Sequence, residues 1–149
     1  MPTGSTVSTN RRARFDYEVL DTIEAGLVLT GTEIKAIREG HANLAHAYAR
    51  PEKGELWLLG THIAEYSHNT TGDQDPIRPR KLLLHREQIR KLTKQVAERG
   101  LTIVPLRLYL KRHLAKVELG VAKGRKRHDK RRLIVDRDRE REARDAIRR

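Results

Sequence analysis

The 149-residue sequence contains no cysteine, and this absence excludes several kinds of structure and chemistry. A chain without thiols has no disulfide bond, no zinc site with thiolate ligands and no thiol nucleophile. We therefore expect packing alone to stabilise the fold. At this length the chain fits one domain with one hydrophobic core.

Long apolar runs are absent as well. Residues 1–10 are small and polar and lack the apolar stretch of a secretory signal peptide. No apolar run approaches the roughly 20 residues of a membrane span. We interpret residues 1–10 as a disordered leader. The lack of both signals predicts a cytoplasmic protein with no membrane partner.

Sequence motifs of catalysis are missing too. The chain has no GxSxG nucleophile turn, no GxxxxGK phosphate loop and no HExxH pair, and its seven histidines are scattered. Four acidic residues leave a metal-dependent nuclease as one hypothesis: Asp136, Asp138, Glu140 and Glu142. Arginines alternate with them, which is typical of a salt-bridged helix surface. We predict no catalytic residue, no metal, no cofactor and no enzyme activity.

Positive charge is what the sequence has in excess, and it is concentrated near the C-terminus. Residues 120–149 hold thirteen Lys or Arg and six Asp or Glu, which gives +7 of the formal net charge of +12. A localised excess of this kind is typical of nucleic-acid binding, because cations that neutralise phosphates release condensed counterions. A solvated tail is the alternative. A membrane surface is disfavoured, because the tail has no Trp or Phe to insert.

Apolar periodicity predicts a mainly β domain over residues 11–121. Alternation predicts a strand from Phe15 that resumes after Gly26, a hairpin within residues 44–59, a strand over His62–Tyr66 and a second hairpin that turns at residues 111–113. Residues 67–79 are expected to form a loop. About six short strands result, which favours a closed antiparallel β-barrel.

Two helices are expected to flank this barrel, with a third as an option. Thr30 and Glu33 have capping-box spacing and Gly40 follows as a stop signal, which predicts a short helix between them. Apolar spacing from Ile89 predicts a second helix that ends at Gly100. Small barrels of this kind often bind nucleic acid.

Residues 122–149 form the predicted basic tail. Opposite charges fall four residues apart in it, as in Arg132 with Asp136 and Glu140 with Arg144. Exposed pairs of this kind contribute only a few tenths of a kcal/mol each, too little to hold an isolated helix in water. We therefore expect a tail that is disordered when free and helical on contact with a partner.

Five stretches resemble the SmpB family, the small protein B that partners transfer-messenger RNA. They are NRRARFDYE from Asn10, EAGLVLTGTEIKAIREG from Glu24, DPIRPRKLLLHR from Asp75, GLTIVPLRLYLK from Gly100 and KVELGVAKGRKRHDKR from Lys116. Their order and spacing agree over residues 10–132. From Leu133 onward the likeness is one of character rather than identity, and Arg139 stands where some members have an aromatic residue. The register and length of the tail helix therefore stay open.

The resemblance implies a barrel related to the OB fold and a role in trans-translation. Such proteins bind the tRNA-like part of transfer-messenger RNA and, with elongation factor Tu and GTP, help bring it to stalled ribosomes. The tail then enters the empty mRNA channel near the decoding centre of the small-subunit rRNA, so that the nascent peptide is tagged and the ribosome released. A constitutive ribosomal RNA-binding protein is the second interpretation.

The resemblance also implies two sets of contact residues. Those that face the tRNA-like RNA are Glu24, Asn43, Lys81, Leu82, Leu83, Leu84 and His85. Those of the tail that face the ribosome are Lys123, Gly124, Arg125, Lys126, Arg127, His128, Asp129, Lys130 and Arg131, with Gly124 in the place of a hinge. Glu24 does not pair with phosphate, but a carboxylate accepts hydrogen bonds from base amino and imino groups.

Overall fold

The computed structural model describes residues 5–64, 75–125 and 127–148. The described strands are β1 (Ser5–Thr9), β2 (Tyr17–Leu27), β3 (Ala42–Asn43), β4 (Tyr48–Glu52), β5 (Glu55–Leu59), β6 (His62–Ile63), β7 (Arg80–Leu83), β8 (Thr102–Lys111) and β9 (Leu114–Gly124). The described helices are α1 (Arg11–Asp16), α2 (Gly31–Arg38), α3 (Arg86–Arg99) and α4 (Arg127–Arg148). The prediction of a mainly β fold with flanking helices is confirmed.

Six strands pair into a closed ring. Their order is β8, β4, β5, β7, β2 and β9, and β9 pairs again with β8. All pairings are antiparallel, and the join between β4 and β8 rests on one residue pair, Ala49 with Ile103. β1 pairs with residues 107–110 of β8, beyond the point where β4 joins it, while β3 and β6 form a separate two-stranded sheet.

The hydrophobic core lies inside this ring, because alternate side chains of each strand point inward. In β5, Leu56 and Leu58 are fully buried between partly exposed neighbours. Helix α2 adds Ile37 to the same core, and α3 adds Ile89 and Leu92. A fully buried leucine contributes on the order of 2 kcal/mol through the apolar area it removes from water.

Local sequence signals located the helix ends and one turn correctly. The Thr30 side chain accepts a hydrogen bond from the Glu33 amide at 3.3 Å, and the Glu33 carboxylate accepts one from the Thr30 amide at 2.9 Å. Gly100 ends α3 in the left-handed conformation at φ 63°, where a side chain would be strained. Arg112 and His113 both have positive φ in the tight turn between β8 and β9.

The N-terminal expectations require correction. Residues 1–10 were expected to form a disordered leader, but residues 5–9 form β1, because Val7 packs against the core and the backbone pairs with β8. Residues 1–4 lie outside the described residues. The strand expected from Phe15 begins at Tyr17, because Asn10 caps α1 over the preceding residues.

At the C-terminal end, β9 continues past the predicted tail boundary to Gly124, and residues 127–148 form α4, the helix that the tail is expected to adopt on contact with a partner. Residues 125–149 contain no Gly or Pro and many Arg, Lys and Glu, which favour helix. None of the described helices is both long and apolar enough to cross a bilayer.

Two further expectations fall partly outside the described residues. The strand expected over His62–Tyr66 is present as β6, which has only two residues, and Tyr66 is not described. Of the loop expected over residues 67–79, the structure describes residues 75–79, which contain a turn.

Candidate nucleic-acid interface

A cleft of about 380 Å³ lies where β2, β7 and β9 meet the start of α3. Its lining residues are Glu24, Gly26, Leu83, Leu84, His85, Gln88 and Lys116. Four of the seven residues that the sequence assigns to RNA contact therefore come together: Glu24, Leu83, Leu84 and His85. Strand register explains this, because Gly26 pairs with Leu83 on one side and with Lys116 on the other.

Gly26 lies at the centre of the cleft. A Cβ atom at this position would lie 3.2 Å from the Leu83 Cβ, which is tighter than an ordinary van der Waals contact. The missing side chain thus lets Leu83 lie directly over the β2 backbone. Leu83 remains 52% exposed, so it presents an apolar surface at the edge of the cleft.

Glu24 is held by charged and aromatic neighbours. The Tyr109 hydroxyl donates a hydrogen bond to the Glu24 carboxylate, and the Lys111 Nζ lies 3.7 Å from its other oxygen. The guanidinium of Arg107 lies 4.2 Å from the centroid of the Tyr109 ring. Because Tyr109 is itself buried, its hydroxyl holds the Glu24 carboxylate in one position.

The environment of Glu24 keeps its carboxyl ionised. The hydrogen bond from Tyr109 lowers the pKa of Glu24, partial burial opposes this, and Lys111 and Lys116 lower it further. Burial raises the pKa of Tyr109, and the hydrogen bond to Glu24 raises it further. The phenol therefore stays protonated and remains a hydrogen-bond donor. The cleft therefore presents an ionised acceptor beside a lysine.

His85 and Leu84 form the other wall of the cleft. His85 precedes α3, and its backbone N–H donates to the Gln88 Oε1 at 3.0 Å, which fixes the start of the helix. The imidazole is exposed, while Leu84 packs partly against the core. An exposed imidazole and an apolar edge offer stacking and hydrogen-bonding surfaces to RNA bases.

The remaining three predicted contact residues have other surroundings. Leu82 is fully buried in the core, which corrects its assignment to a contact surface: alternation along β7 points it inward. Lys81 shares the outer face of β7 with Leu83, and its Nζ lies 3.5 Å from Glu55. Asn43 lies on β3, where its Oδ1 accepts a bond from the Ala45 amide at 2.8 Å; it is not among the described residues that line the cleft.

Comparison with known proteins shows the family of this chain. The model of the SmpB protein family matches residues 7–149. The chain belongs to the SmpB family. It is 52% identical over 136 residues to the SsrA-binding protein of Desulfitobacterium hafniense strain DSM 10664 / DCB-2, with coverage of 91% of this chain and 87% of the relative. It is 51% identical over 144 residues to the SsrA-binding protein of Thermobifida fusca strain YX, with coverage of 97% and 90%.

A solved structure shares the fold. It is described as "tmRNA-SmpB: a journey to the center of the bacterial ribosome" and superposes with a TM-score of 0.68 at 43% sequence identity. The match covers 89% of this chain and 95% of the solved chain. The ring of strands with its flanking helices is therefore a fold that this chain shares with the solved chain.

Residues from two of the family-like stretches form a buried ion-pair network that was not predicted from the sequence. Glu33 and Arg80 are both fully buried, with Arg80 Nε 2.7 Å from Glu33 Oε2, and Arg78 donates to the same carboxylate. Arg80 also donates to the carbonyls of Thr61 at 2.7 Å and Pro76 at 3.0 Å. The available signal was Arg80 itself, which alternates with Leu82 and so shares the inward face of β7.

The protonation of this network follows from its hydrogen bonds. Burial alone would raise the pKa of Glu33, but bonds from Arg78, Thr30 and Arg80 outweigh it and lower that pKa. Burial lowers the pKa of Arg80, and the bond to Glu33 opposes the change. Both groups are therefore charged at neutral pH, and the network ties α2 to β7, which leads into the cleft.

The first residues of the predicted tail are part of the folded body of the chain. Lys123 and Gly124 lie in β9, where Gly124 pairs with Tyr17, and the Arg125 amide donates to the Asp16 carbonyl at 2.9 Å. The position implied as a hinge is thus part of a strand. Lys126 lies outside the described residues. The other five implied contacts, Arg127, His128, Asp129, Lys130 and Arg131, form the first residues of α4.

Beyond this start, the α4 side chains that the structure describes lie in solvent. Arg131 and residues 134–144 are exposed, including the acidic residues considered for a nuclease site. Within the part of the chain that the structure describes, no group of three or more His, Asp or Glu is arranged to hold a metal ion.

Proposed function

We propose that this chain binds the tRNA-like part of transfer-messenger RNA and brings it to stalled ribosomes in trans-translation. Family membership supports this, since the relatives are named SsrA-binding proteins and the matching solved chain is described with tmRNA and the bacterial ribosome. The net charge of +12 supports a polyanionic partner.

The cleft is the single observation on this molecule that carries the proposal. It joins the ionised Glu24 carboxylate, the exposed Leu83, the His85 ring and Lys116 within one surface. A carboxylate repels phosphate but accepts bonds from base amino and imino groups, while the lysine attracts the backbone. This combination suits a folded RNA with accessible base edges better than a uniform duplex.

The tail has a separate role in this proposal. We propose that residues 127–148 enter the vacant mRNA channel near the decoding centre, while elongation factor Tu with GTP acts on the same RNA. Residues 120–149 carry +7 of the formal net charge of +12, which supports contact with rRNA. A channel filled with message would exclude the helix, so the tail would recognise ribosomes that have stalled without a codon. In this proposal the protein acts in the cytoplasm and has no catalytic role.

A binding measurement tests the cleft. The dissociation constant for the tRNA-like domain of transfer-messenger RNA is measured against an elongator tRNA at fixed salt, for the full chain and for Glu24→Gln. We expect preference for the tRNA-like domain, reduced about fivefold or more in the variant because a charged acceptor is lost. Glu18→Gln makes the same chemical change on β2 outside the cleft and serves as control. Equal affinity for both RNAs would contradict the proposal.

A further inference from the structure

A second groove lies on the other side of α3. Its volume is about 620 Å³, and it runs between α3 and the turn that joins β4 to β5. The lining residues are Lys53, Gly54, Glu55, Arg86, Ile89, Arg90, Thr93, Lys94, Ala97 and Glu98. We propose that this groove binds the sugar-phosphate backbone of the same RNA that occupies the cleft at Glu24.

The cations of the groove are arranged in a line. Arg86, Arg90 and Lys94 recur every four residues, which places them on one side of α3 about 6 Å apart along its axis. Lys53 faces them from the turn, where its φ of 51° presents the residue at the tip of the hairpin. A row of cations along a groove is the arrangement that follows a nucleic-acid backbone.

These four basic residues are exposed and have no ion-pair partner in the part of the chain that the structure describes. Of the two acidic lining residues, Glu55 is paired with Lys81 at 3.5 Å, and Glu98 is exposed near the far end of α3. Four cations against two carboxylates leave the groove with a net positive charge. A phosphate that enters meets cations whose attraction is not spent on ion pairs within the described residues.

The groove floor favours phosphate over a protein partner. It consists of Ile89, which is 7% exposed, with Thr93 and Ala97. Protein interfaces gain most of their binding energy from aromatic and other large anchors, and the described lining of this groove contains no aromatic side chain. Phosphate contacts need only cations along a track, and they fix register without reading sequence.

The cleft at Glu24 and the groove along α3 adjoin each other, which is why we assign one RNA to both. His85 lines the cleft and its neighbour Arg86 lines the groove, so consecutive residues at the start of α3 contribute to the two surfaces. An RNA seated on Glu24 and His85 has its backbone led along α3 by Arg90 and Lys94. This inference rests on the proposed function, because it names an additional subsite for the tRNA-like RNA.

Paired substitutions test the groove. Arg90→Gln with Lys94→Gln removes two groove cations, and Lys91→Gln with Arg99→Gln removes two exposed cations of the same helix that do not line the groove. Gln preserves helix propensity. Affinity for the tRNA-like RNA is measured over a range of salt concentrations. We expect the groove pair to weaken binding and to reduce the slope of log K against log salt by about one to two.

The control pair separates local contact from general attraction. It changes net charge equally, so an effect of the same size from both pairs would overturn the proposal. A full chain that shows no preference for the tRNA-like RNA contradicts the proposed function instead. If the full chain shows that preference and the groove pair changes nothing, only the groove is refuted.

A position-specific readout completes the test. Because the chain has no cysteine, Ala97→Cys creates a single attachment point for an iron chelate at the groove. Hydroxyl radicals released there should cut the tRNA-like RNA backbone at one localised position, and the same label at Arg99→Cys should cut it less. No localised cleavage from position 97 in the RNA-bound full chain would overturn the proposal.

Discussion

Arg80 and Glu33 lie 47 residues apart in the sequence and form a fully buried ion pair, with the Arg80 Nε 2.7 Å from the carboxylate. Removal of Arg80 leaves the buried Glu33 carboxylate with Arg78 as its one remaining cation, and it removes the donor to the carbonyls of Thr61 and Pro76. We expect Arg80→Met to lower the free energy of unfolding by about 3–5 kcal/mol, measured by urea denaturation. Arg50→Met breaks the exposed pair with Glu52 and should change stability by less than about 0.5 kcal/mol.

The same pair has a defined pH dependence. Because folding lowers the pKa of Glu33, its contribution is complete above the unfolded value of about 4.3 and is lost as pH falls through the lower folded value. The stability difference between the wild type and Arg80→Met should therefore shrink below about pH 4. A difference that stays constant down to pH 2.5 would show that charge pairing is not its origin.

Asn10 joins three parts of the chain. Its Oδ1 accepts a bond from the Ala13 amide at 3.2 Å, and its Nδ2 donates to the carbonyls of Leu44 and Pro105 at 3.1 and 2.9 Å. We expect Asn10→Ala to cost about 2–3 kcal/mol in thermal or urea unfolding, since the helix cap and both buried bonds are lost. Asn10→Asp keeps the cap acceptor but not the donor, and should be destabilising as well. A stable Asp variant would indicate that only the cap matters.

Several elements were predictable because their signals are local. The capping box at Thr30, the stop at Gly100 and the turn at Arg112 each depend on a few neighbouring residues. β1 and the Arg80 network depend on partners far along the chain, so no short window indicates them. Likewise, the family resemblance suggested Glu24 and His85 as contacts, but only the strand register shows that they share a cleft.

Leu83 is expected to act in binding rather than in folding. The side chain is 52% exposed, so Leu83→Ser should change the free energy of unfolding by less than about 0.5 kcal/mol. Loss of its apolar contact should weaken binding of the tRNA-like RNA by roughly tenfold. Leu114→Ser is the matched control, because Leu114 is 60% exposed on the β8–β9 hairpin and does not line the cleft. An equal loss of affinity in both variants would exclude a specific role for Leu83.

Tyr109 is expected to orient Glu24 without touching RNA, since the phenol is buried beneath the carboxylate. In Tyr109→Phe the pKa of Glu24 should rise, because its principal hydrogen bond is lost. NMR titration of the Glu24 carboxyl carbon measures this change directly. On the acid side, the variant should begin to lose affinity for the tRNA-like RNA at a higher pH than the wild type does, because its Glu24 becomes protonated at a higher pH. An unchanged titration would show that the hydrogen bond does not hold the carboxylate.

A truncation after Arg125 tests the division between body and tail. The cut preserves β9, whose Val121 and Ala122 are buried, and also the bond from Arg125 to Asp16. Affinity for the tRNA-like RNA and peptide tagging on stalled ribosomes are measured on the same preparation. We predict affinity within about twofold of the full chain, as for removal of a surface segment outside the contact, and no tagging. A truncated chain that loses RNA binding yet still supports tagging would contradict the account.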